Sequence, residues 1–285
     1  MRIGVALVLV MACGKAKTKA PVDLPAVGSA SRCTSLPFAP ETPVPEASAA
    51  AWLDIAGKPA LLVIGDSGNH GAYGLVDPDT GATLEQGNLP LGDTSDDLEG
   101  LSAHDGVIYG LVSSGWAYAW KRTDGGFALV DGPYPIADRD SEMVCKKHKT
   151  NCGRNYEGLC LAPQAGSDGC AGYAASKGDG KLYCVTFDAD HRLAVHREGA
   201  IDVDAHDRLA DCTYDQASGT LWAANNLLGL SEVFRVEGGR AVPFDAFGPG
   251  FPEVIAVRGD IFYRMSDLGG APSLMAKFRC TASTK

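Results

Sequence analysis

Apolar residues in this chain come in short bursts, alternating or β-branched, each ended by a glycine, asparagine or aspartate turn. Asp97-Leu98-Glu99-Gly100-Leu101 opens one burst on an acid, and Asp105-Gly106 then turns the chain into Val107-Ile108-Tyr109-Gly110. That pattern predicts a hairpin: a strand, an Asp-Gly turn, and a second strand of β-branched and aromatic residues. Variants recur. Tyr156-Glu157-Gly158-Leu159 leads to Gly172-Tyr173-Ala174, Leu209-Ala210-Asp211 to Gly219-Thr220-Leu221-Trp222, and Phe251-Pro252-Glu253 to Gly259-Asp260-Ile261-Phe262-Tyr263.

Followed outward, the units predict four strands each. The first is degenerate at its start, with strands at Ala49–Leu53, Leu61–Asp66, Ala72–Asp77 and near Thr83-Leu84. The second begins at Leu98, the third at Tyr156 and the fourth at Leu209. The fifth offers only Val254–Val257, Ile261–Met265 and Leu274–Arg279, while Pro40 to Pro45 reads as a loop. Four antiparallel strands repeated at roughly 42–58 residues mark the blades of a propeller, units that bury their faces only by stacking around a ring. The predicted fold is all-β, a five-bladed β-propeller of four-stranded antiparallel blades. Its fifth blade lacks an outer strand and the chain has a spare one, Ser31 to Phe38, so an N-terminal strand closes the ring. A pair of β-sandwiches is the alternative, but it gives no reason for an acid to open successive units.

Composition agrees with many short strands: 35 glycines and 16 prolines in 285 residues, with 45% apolar content. A net charge of −10 argues against a nucleic-acid partner, because nothing basic is left over to neutralise phosphates. The N-terminus carries processing information. Arg2, the apolar run Ile3 to Met11, and Val10-Met11-Ala12-Cys13 read as a bacterial lipobox, which makes Cys13 the diacylated new N-terminus; a plain signal peptide is the alternative. The apolar run is too short to span a bilayer. The expected organisation is a lipoprotein signal peptide over 1–12, a flexible tether over 13–32 and a propeller domain over 33–285. Such a protein is lipid-anchored in the bacterial cell envelope and meets the membrane through its anchor alone.

Eight cysteines remain, an even number that in an exported chain implies disulfides, though roughly a hundred connectivities are open. Ring closure puts Cys33 and Cys280 on neighbouring strands, and Cys145–Cys152 would close one loop. Cys160–Cys170 and Cys184–Cys212 are the expected remaining pairs. None of these cysteines has zinc-site spacing.

In a propeller the innermost strand of each blade lines a central channel. Glu99, Glu157, Asp211 and Glu253 are therefore expected to converge on the axis at one face. Ringing them would be the ends of the second strands, with Asp66, Ser113, Asn225 and Ser266 as channel-mouth polar groups and Ser67, Ser114, Ser176, Lys177, Asn226 and Asp267 beside or opposite them. At about 8 Å and an effective dielectric of 20, each like-charged pair costs on the order of 2 kcal/mol, so four bare carboxylates call for a cation, protonation or nearby bases. Hard oxygen ligands suit calcium. The alternative leaves these acids solvated, or bound to backbone N–H groups of the next blade.

The acid-Gly-Leu strand starts at Glu99 and Glu157 resemble those of the phytase-like esterase propellers. They are also similar to the gluconolactonase and strictosidine-synthase-like propellers, and the count of five units to the calcium-activated apyrases. The resemblance, over about residues 46–280, implies a central calcium held by strand-start acids; the bases and phosphate-binding residues of those families are not matched here. Two functions follow as expectations: a binding or scaffold module with a structural calcium, or a calcium-dependent hydrolase of phosphate esters, nucleotides or lactones. No Gly-x-Ser-x-Gly elbow or phosphate loop is present, and the six histidines lack metalloprotease spacing. Asp66-Ser67-Gly68-Asn69-His70 offers a nucleophile and a base, or simply a polar loop. Loop 137–156, with Arg139, Lys146, Lys147 and Arg154, offers a surface for an anion, or a solvated insertion.

Overall fold

The computed structural model describes residues 32–91, 96–139, 141–146, 152–164, 166, 168–203, 208–226, 231–269 and 272–281. Residues 1–31, which hold the expected signal, Cys13 and nearly all of the tether, lie outside them, as does Lys147. Among the described residues every regular element is a strand. Two short strands, β1 (Cys33–Leu36) and β2 (Glu41–Pro45), precede the first blade. Blade 1 is β3 (Ala47–Ile55), β4 (Lys58–Gly65), β5 (Ala72–Val76) and β6 (Thr83–Asn88). Blade 2 is β7 (Leu98–His104), β8 (Val107–Val112), β9 (Trp116–Thr123) and β10 (Gly126–Pro135). Blade 3 is β11 (Tyr156–Leu161), β12 (Gly172–Ser176), β13 (Lys181–Phe187) and β14 (Leu193–Asp202). Blade 4 is β15 (Leu209–Tyr214), β16 (Leu221–Asn225), β17 (Glu232–Glu237) and β18 (Arg240–Ala246), and blade 5 is β19 (Pro252–Arg258), β20 (Ile261–Ser266) and β21 (Pro272–Cys280) completed by β1. The molecule is a five-bladed β-propeller of antiparallel blades.

Inner strands are apolar on both faces because blades stack on either side of them, and β11 is buried along its whole length. Aromatic residues fill the spaces between blades, with Tyr118 and Trp120 stacked at 5.4 Å between ring centroids. Gly110 is what lets Trp120 lie flat on its neighbouring strand, since a Cβ there would sit 2.5 Å from the indole ring. Closure follows from β1, which pairs antiparallel with β21 in the register Cys33↔Cys280 and is bonded to it by a disulfide between those two residues. The segment Pro40–Pro45 is not simply a loop: β2 occupies Glu41–Pro45 and pairs with β21 beside β1. Prolines are tolerated there because β2 lies off the main path of the sheet, where a missing donor breaks no ladder.

Cys145–Cys152 closes its loop. The other two pairings differ from expectation: the bonds are Cys160–Cys212 and Cys170–Cys184. Cys160 and Cys212 both lie on innermost strands, β11 and β15, which pack side by side around the axis, so their bond ties blade 3 to blade 4. Cys170 precedes β12 where Ala171 donates to Val185, which sets it beside Cys184 on β13. Distance along the chain was a poor guide because blades bring strand starts together across fifty residues.

At the end of the axis away from the strand-start acids, Trp52, Leu101, Leu159 and Tyr214 pack around a cavity of only about 20 Å³. That is room for roughly one water. The axis therefore narrows behind the acids to this small cavity.

Candidate functional site

Each inner strand carries the same irregularity near its start. The first pairings are Ala47↔Gly65, Leu98↔Val112, Tyr156↔Ser176, Leu209↔Asn225 and Pro252↔Ser266, and each is followed by a register shift that skips one residue of the inner strand. The skipped residues are Ser48, Glu99, Glu157, Ala210 and Glu253. A bulge re-aims the extra side chain out of the ladder. The next residues after the second strands, Asp66, Ser113, Lys177, Asn226 and Asp267, are equivalent around the ring by the same register. So are those just before the inner strands: Glu46, Asp97, Asn155, Arg208 and Phe251.

One half of the cup carries its own cation. Lys177 Nζ lies 2.7 Å from Glu157 Oε2 and 4.0 Å from Glu253 Oε1. Asn155 Nδ2 donates to Glu157 Oε1 at 2.8 Å, and Asn226 Nδ2 to Glu253 Oε1 at 2.7 Å. Burial pushes the Glu157 carboxyl up to about 8 against the pull of Lys177. It pushes Glu253 up to about 7, again against Lys177 and with Asp267 and Asp66 adding to the rise. Burial alone would lower the Lys177 ammonium, but Glu157 and Glu253 outweigh it and the net shift is upward.

The other half is a carboxylate trio. One oxygen from each of Asp66, Asp97 and Glu99 lies within 4.8 Å of the other two. Ser113 donates to Asp97, and Glu99 stands close enough to Asp66 to interact with its carboxyl directly. Burial first, then the surrounding acids, raise Glu99 well above the ordinary range, with Glu157 the strongest of those neighbours. Asp66 and Asp97 are raised by burial too.

Three of the four strand-start acids, Glu99, Glu157 and Glu253, thus meet in one field, and Asp211 does not join them. It stands one residue beyond the bulge, where blade 4 carries Ala210, and a one-residue step reverses a side chain's direction. Its Oδ2 accepts the backbone N–H of Ile255 on the next blade at 2.9 Å and its Oδ1 that of Cys212 at 2.7 Å. Equivalent positions in blades 2 and 3 are Gly100 and Gly158, where a Cβ would stand 2.7 Å from Leu159 N and from Asp211 Oδ1. Asp211 is therefore an interblade strut, close to fully buried Arg264.

Of the channel-mouth groups, Asp66 and Ser113 face the cup. Asn225 and Ser266 fall one residue short of it. Asn225 brackets the β16–β17 hairpin, donating to Glu232 Oε2 at 2.8 Å and accepting its N–H at 3.0 Å, while Ser266 Oγ accepts Leu274 N–H at 3.2 Å. The position that matters is the next one, which brings in Asn226. Sequence reasoning gave no ligand role to Asp97, Lys177 or Asn155; the available signal was their fixed offset from each acid-bearing strand start.

The remaining candidates are committed elsewhere. His70 is 88% exposed beside Asp96, away from Ser67, and Asp66 caps its own loop by accepting Ser67 N–H. Arg139 lies over the Trp116 ring. Arg154 spans Glu142 and Asp179 at 2.9 Å each and covers Tyr183. Lys146 lines a shallow cavity of about 530 Å³ with Glu142 and Arg154.

As a cation site the trio fits by its chemistry, since all its donors are hard oxygens and two of its residues, Asp97 and Glu99, are buried. Glu157 and Glu253, which face Lys177, fall outside that donor set, as does Asp211.

Fold and site together define a β-propeller with an acidic cup at one end of its axis. No protein-family model matches the sequence, and no curated protein matches it. Among solved structures, the chain is similar to the glutaminyl cyclase of Myxococcus xanthus, at 15% identity with a TM-score of 0.55, over 88% of this chain and 97% of that one. It is also similar to a luciferin-regenerating enzyme, at 11% identity and a TM-score of 0.47, over 86% and 96% of the two chains. A third is the Cps50 (Swd1) propeller domain of Myceliophteria thermophila, at 10% identity and a TM-score of 0.44, over 82% and 84%. The first of these likenesses supports the fold and nothing beyond it.

Proposed function

We propose that the axial cup is an acid–base catalytic centre for an amine-bearing amide substrate, with cyclisation of an N-terminal glutaminyl group as its reaction. One observation carries this reading: a carboxyl poised near neutrality, Glu253, held against both an ammonium, Lys177, and an amide donor, Asn226. General acid–base work is most effective when the group titrates near the working pH. The reaction needs nothing further. The α-amine nitrogen bonds to the side-chain amide carbon, the bond from that carbon to the amide nitrogen breaks, and ammonia leaves. Glu253 takes the proton that the attacking amine gives up and returns one to the departing nitrogen. Lys177 and Asn226 donate to the amide oxygen as it gains charge. The Asp66–Asp97–Glu99 trio receives the substrate's ammonium and takes the first of its protons, which leaves with the ammonia as ammonium. Ammonia release from glutaminyl peptides, abolished in Glu253→Gln and Lys177→Met with folding intact, is the test; a wild-type protein inert toward every such peptide rejects the reading and leaves the binding or scaffold role.

A second reading has its own observation, the mutual 4.8 Å spacing of the trio's oxygens. Asp66, Asp97 and Glu99 would hold calcium, which when bound would act as a Lewis acid toward a carbonyl or phosphoryl oxygen. Calorimetric titration of calcium into chelator-treated protein, compared with Glu99→Gln, decides it: no heat and no gain in Tm removes the metal. Export and lipid anchoring through Cys13 belong to the same proposal, and labelling with palmitate that is lost in Cys13→Ser tests them.

A further inference from the structure

Around the ring, the residue just before each inner strand is a fixed position. Blade 2 places Asp97 of the carboxylate trio there, and blade 3 places Asn155, which holds Glu157. Blades 1 and 4 supply Glu46 and Arg208. Blade 5 alone has an apolar residue at this position, Phe251, and 55% of it is exposed.

The backbone of its loop is held at both ends. Pro249 and Pro252 limit the backbone on either side, and Gly248 and Gly250 adopt positive φ values of 143° and 58°. Arg264, fully buried, donates to Ser231 Oγ and, at 3.3 Å, to the carbonyl of Pro252, so the base of the loop is clamped from beneath. Phe247 N–H donates to Ser231 O at 3.0 Å and closes its other end. Two residues after Phe251 comes Glu253, so the two Cα atoms are within roughly 7 Å of each other. Gly250 packs between Leu268, where a Cβ would meet its Cδ2 at 3.4 Å, and Ser266, on either side of Asp267.

Resting on the acid–base reading above, we propose that Phe251 is the specificity-determining residue of the cup. It receives an apolar side chain that lies beside the substrate's reacting amine and amide. The substrate class is then a peptide N-terminus whose neighbouring residue is aromatic or large and aliphatic. An acid cup with one aromatic wall selects an amine next to apolar surface over a bare amine, because desolvating the ring adds to charge pairing.

Two readouts test this. Binding of the non-cyclising dipeptides Ala-Phe-amide and Ala-Ala-amide is measured by calorimetry on wild type, Phe251→Ala, Phe251→Leu and Glu99→Gln. Expected is a preference for Ala-Phe-amide on the order of ten- to a hundred-fold in wild type. It should collapse in Phe251→Ala, through loss of affinity for Ala-Phe-amide, and be partly kept in Phe251→Leu. Glu99→Gln should weaken both amides alike. Equal binding of the two amides by wild type, or a preference that survives Phe251→Ala, overturns the role of Phe251 while the cup reading stands. Binding of neither amide overturns both. Because the ring is more than half exposed, the Phe251 variants are expected to keep the wild-type Tm, so their effects report on the ligand. Cyclisation of Gln-Phe-amide against Gln-Ala-amide should show the same ratio in kcat/KM, carried by KM.

Discussion

Replacing Glu253 with Gln isolates one buried carboxyl without changing its shape. In the folded protein this carboxyl titrates at about 7 instead of 4.5. The folded state therefore holds a proton through that window which the unfolded chain has given up. The stabilisation is complete below pH 4.5 and is lost as pH rises through 7. Two and a half units correspond to about 3 kcal/mol. Little solvent discount applies, because the side chain is only 16% exposed. Gln keeps the oxygen that accepts from Asn226 but cannot ionise. Denaturant unfolding of both proteins in chelator at half-unit steps from pH 4.5 to 8.5 gives the difference, with titrating groups remote from Glu253 cancelling. Glu253→Gln should match wild type near pH 4.5 and exceed it by about 3 kcal/mol at pH 8, which in Tm is roughly 6–12 °C. A flat difference, or one that turns against Gln as pH rises, would show that Lys177 or another cation keeps Glu253 ionised, and the burial argument would fail.

Lys177→Met removes the cation from Glu157 and Glu253; its stability loss should be small at pH 6, where both acids hold protons, and grow to about 3–5 kcal/mol by pH 9, read from urea unfolding at the two values. Asp211→Ala strips the acceptor from Ile255 N–H and the counter-charge from Arg264, and should lower stability by about 3–5 kcal/mol, whereas Asp211→Asn, which keeps a carbonyl, should lose less than half as much. Gly158→Ala should lose more than about 1 kcal/mol by driving a methyl into Asp211 and Cys212, seen as a lower denaturation midpoint. Cys33→Ser with Cys280→Ser opens a closure 247 residues long, and should lower stability by at most about 5 kcal/mol, read as a lower denaturation midpoint under non-reducing conditions.

The blade plan was legible because it rests on period. Gly and Asp turns recur between apolar strands, and the missing outer strand of blade 5 pointed to the segment at Cys33. The bulge was not legible. It shifts register by one residue at each strand start, and nothing in the local composition distinguishes Ala210-Asp211 from Leu98-Glu99. Counting from the acid itself selected Asp211, and the same one-residue error selected Asn225 and Ser266 in place of their neighbours. Lys177 sat inside a stretch already marked as the channel mouth, but its role depends on meeting Glu157 from the adjacent strand. Disulfide partners failed for a related reason, since Cys160 and Cys212 become neighbours only once blades 3 and 4 stand side by side.

Strand β21 begins at the rim, where Leu274 binds Ser266, and runs down to Cys280; β1 starts beside that end, at Cys33. Both flanking segments of the propeller therefore depart together from its floor. A group joined directly at Arg32 or Thr281 would stand behind the wheel, and the opening that holds Glu99 and Glu253 looks the other way.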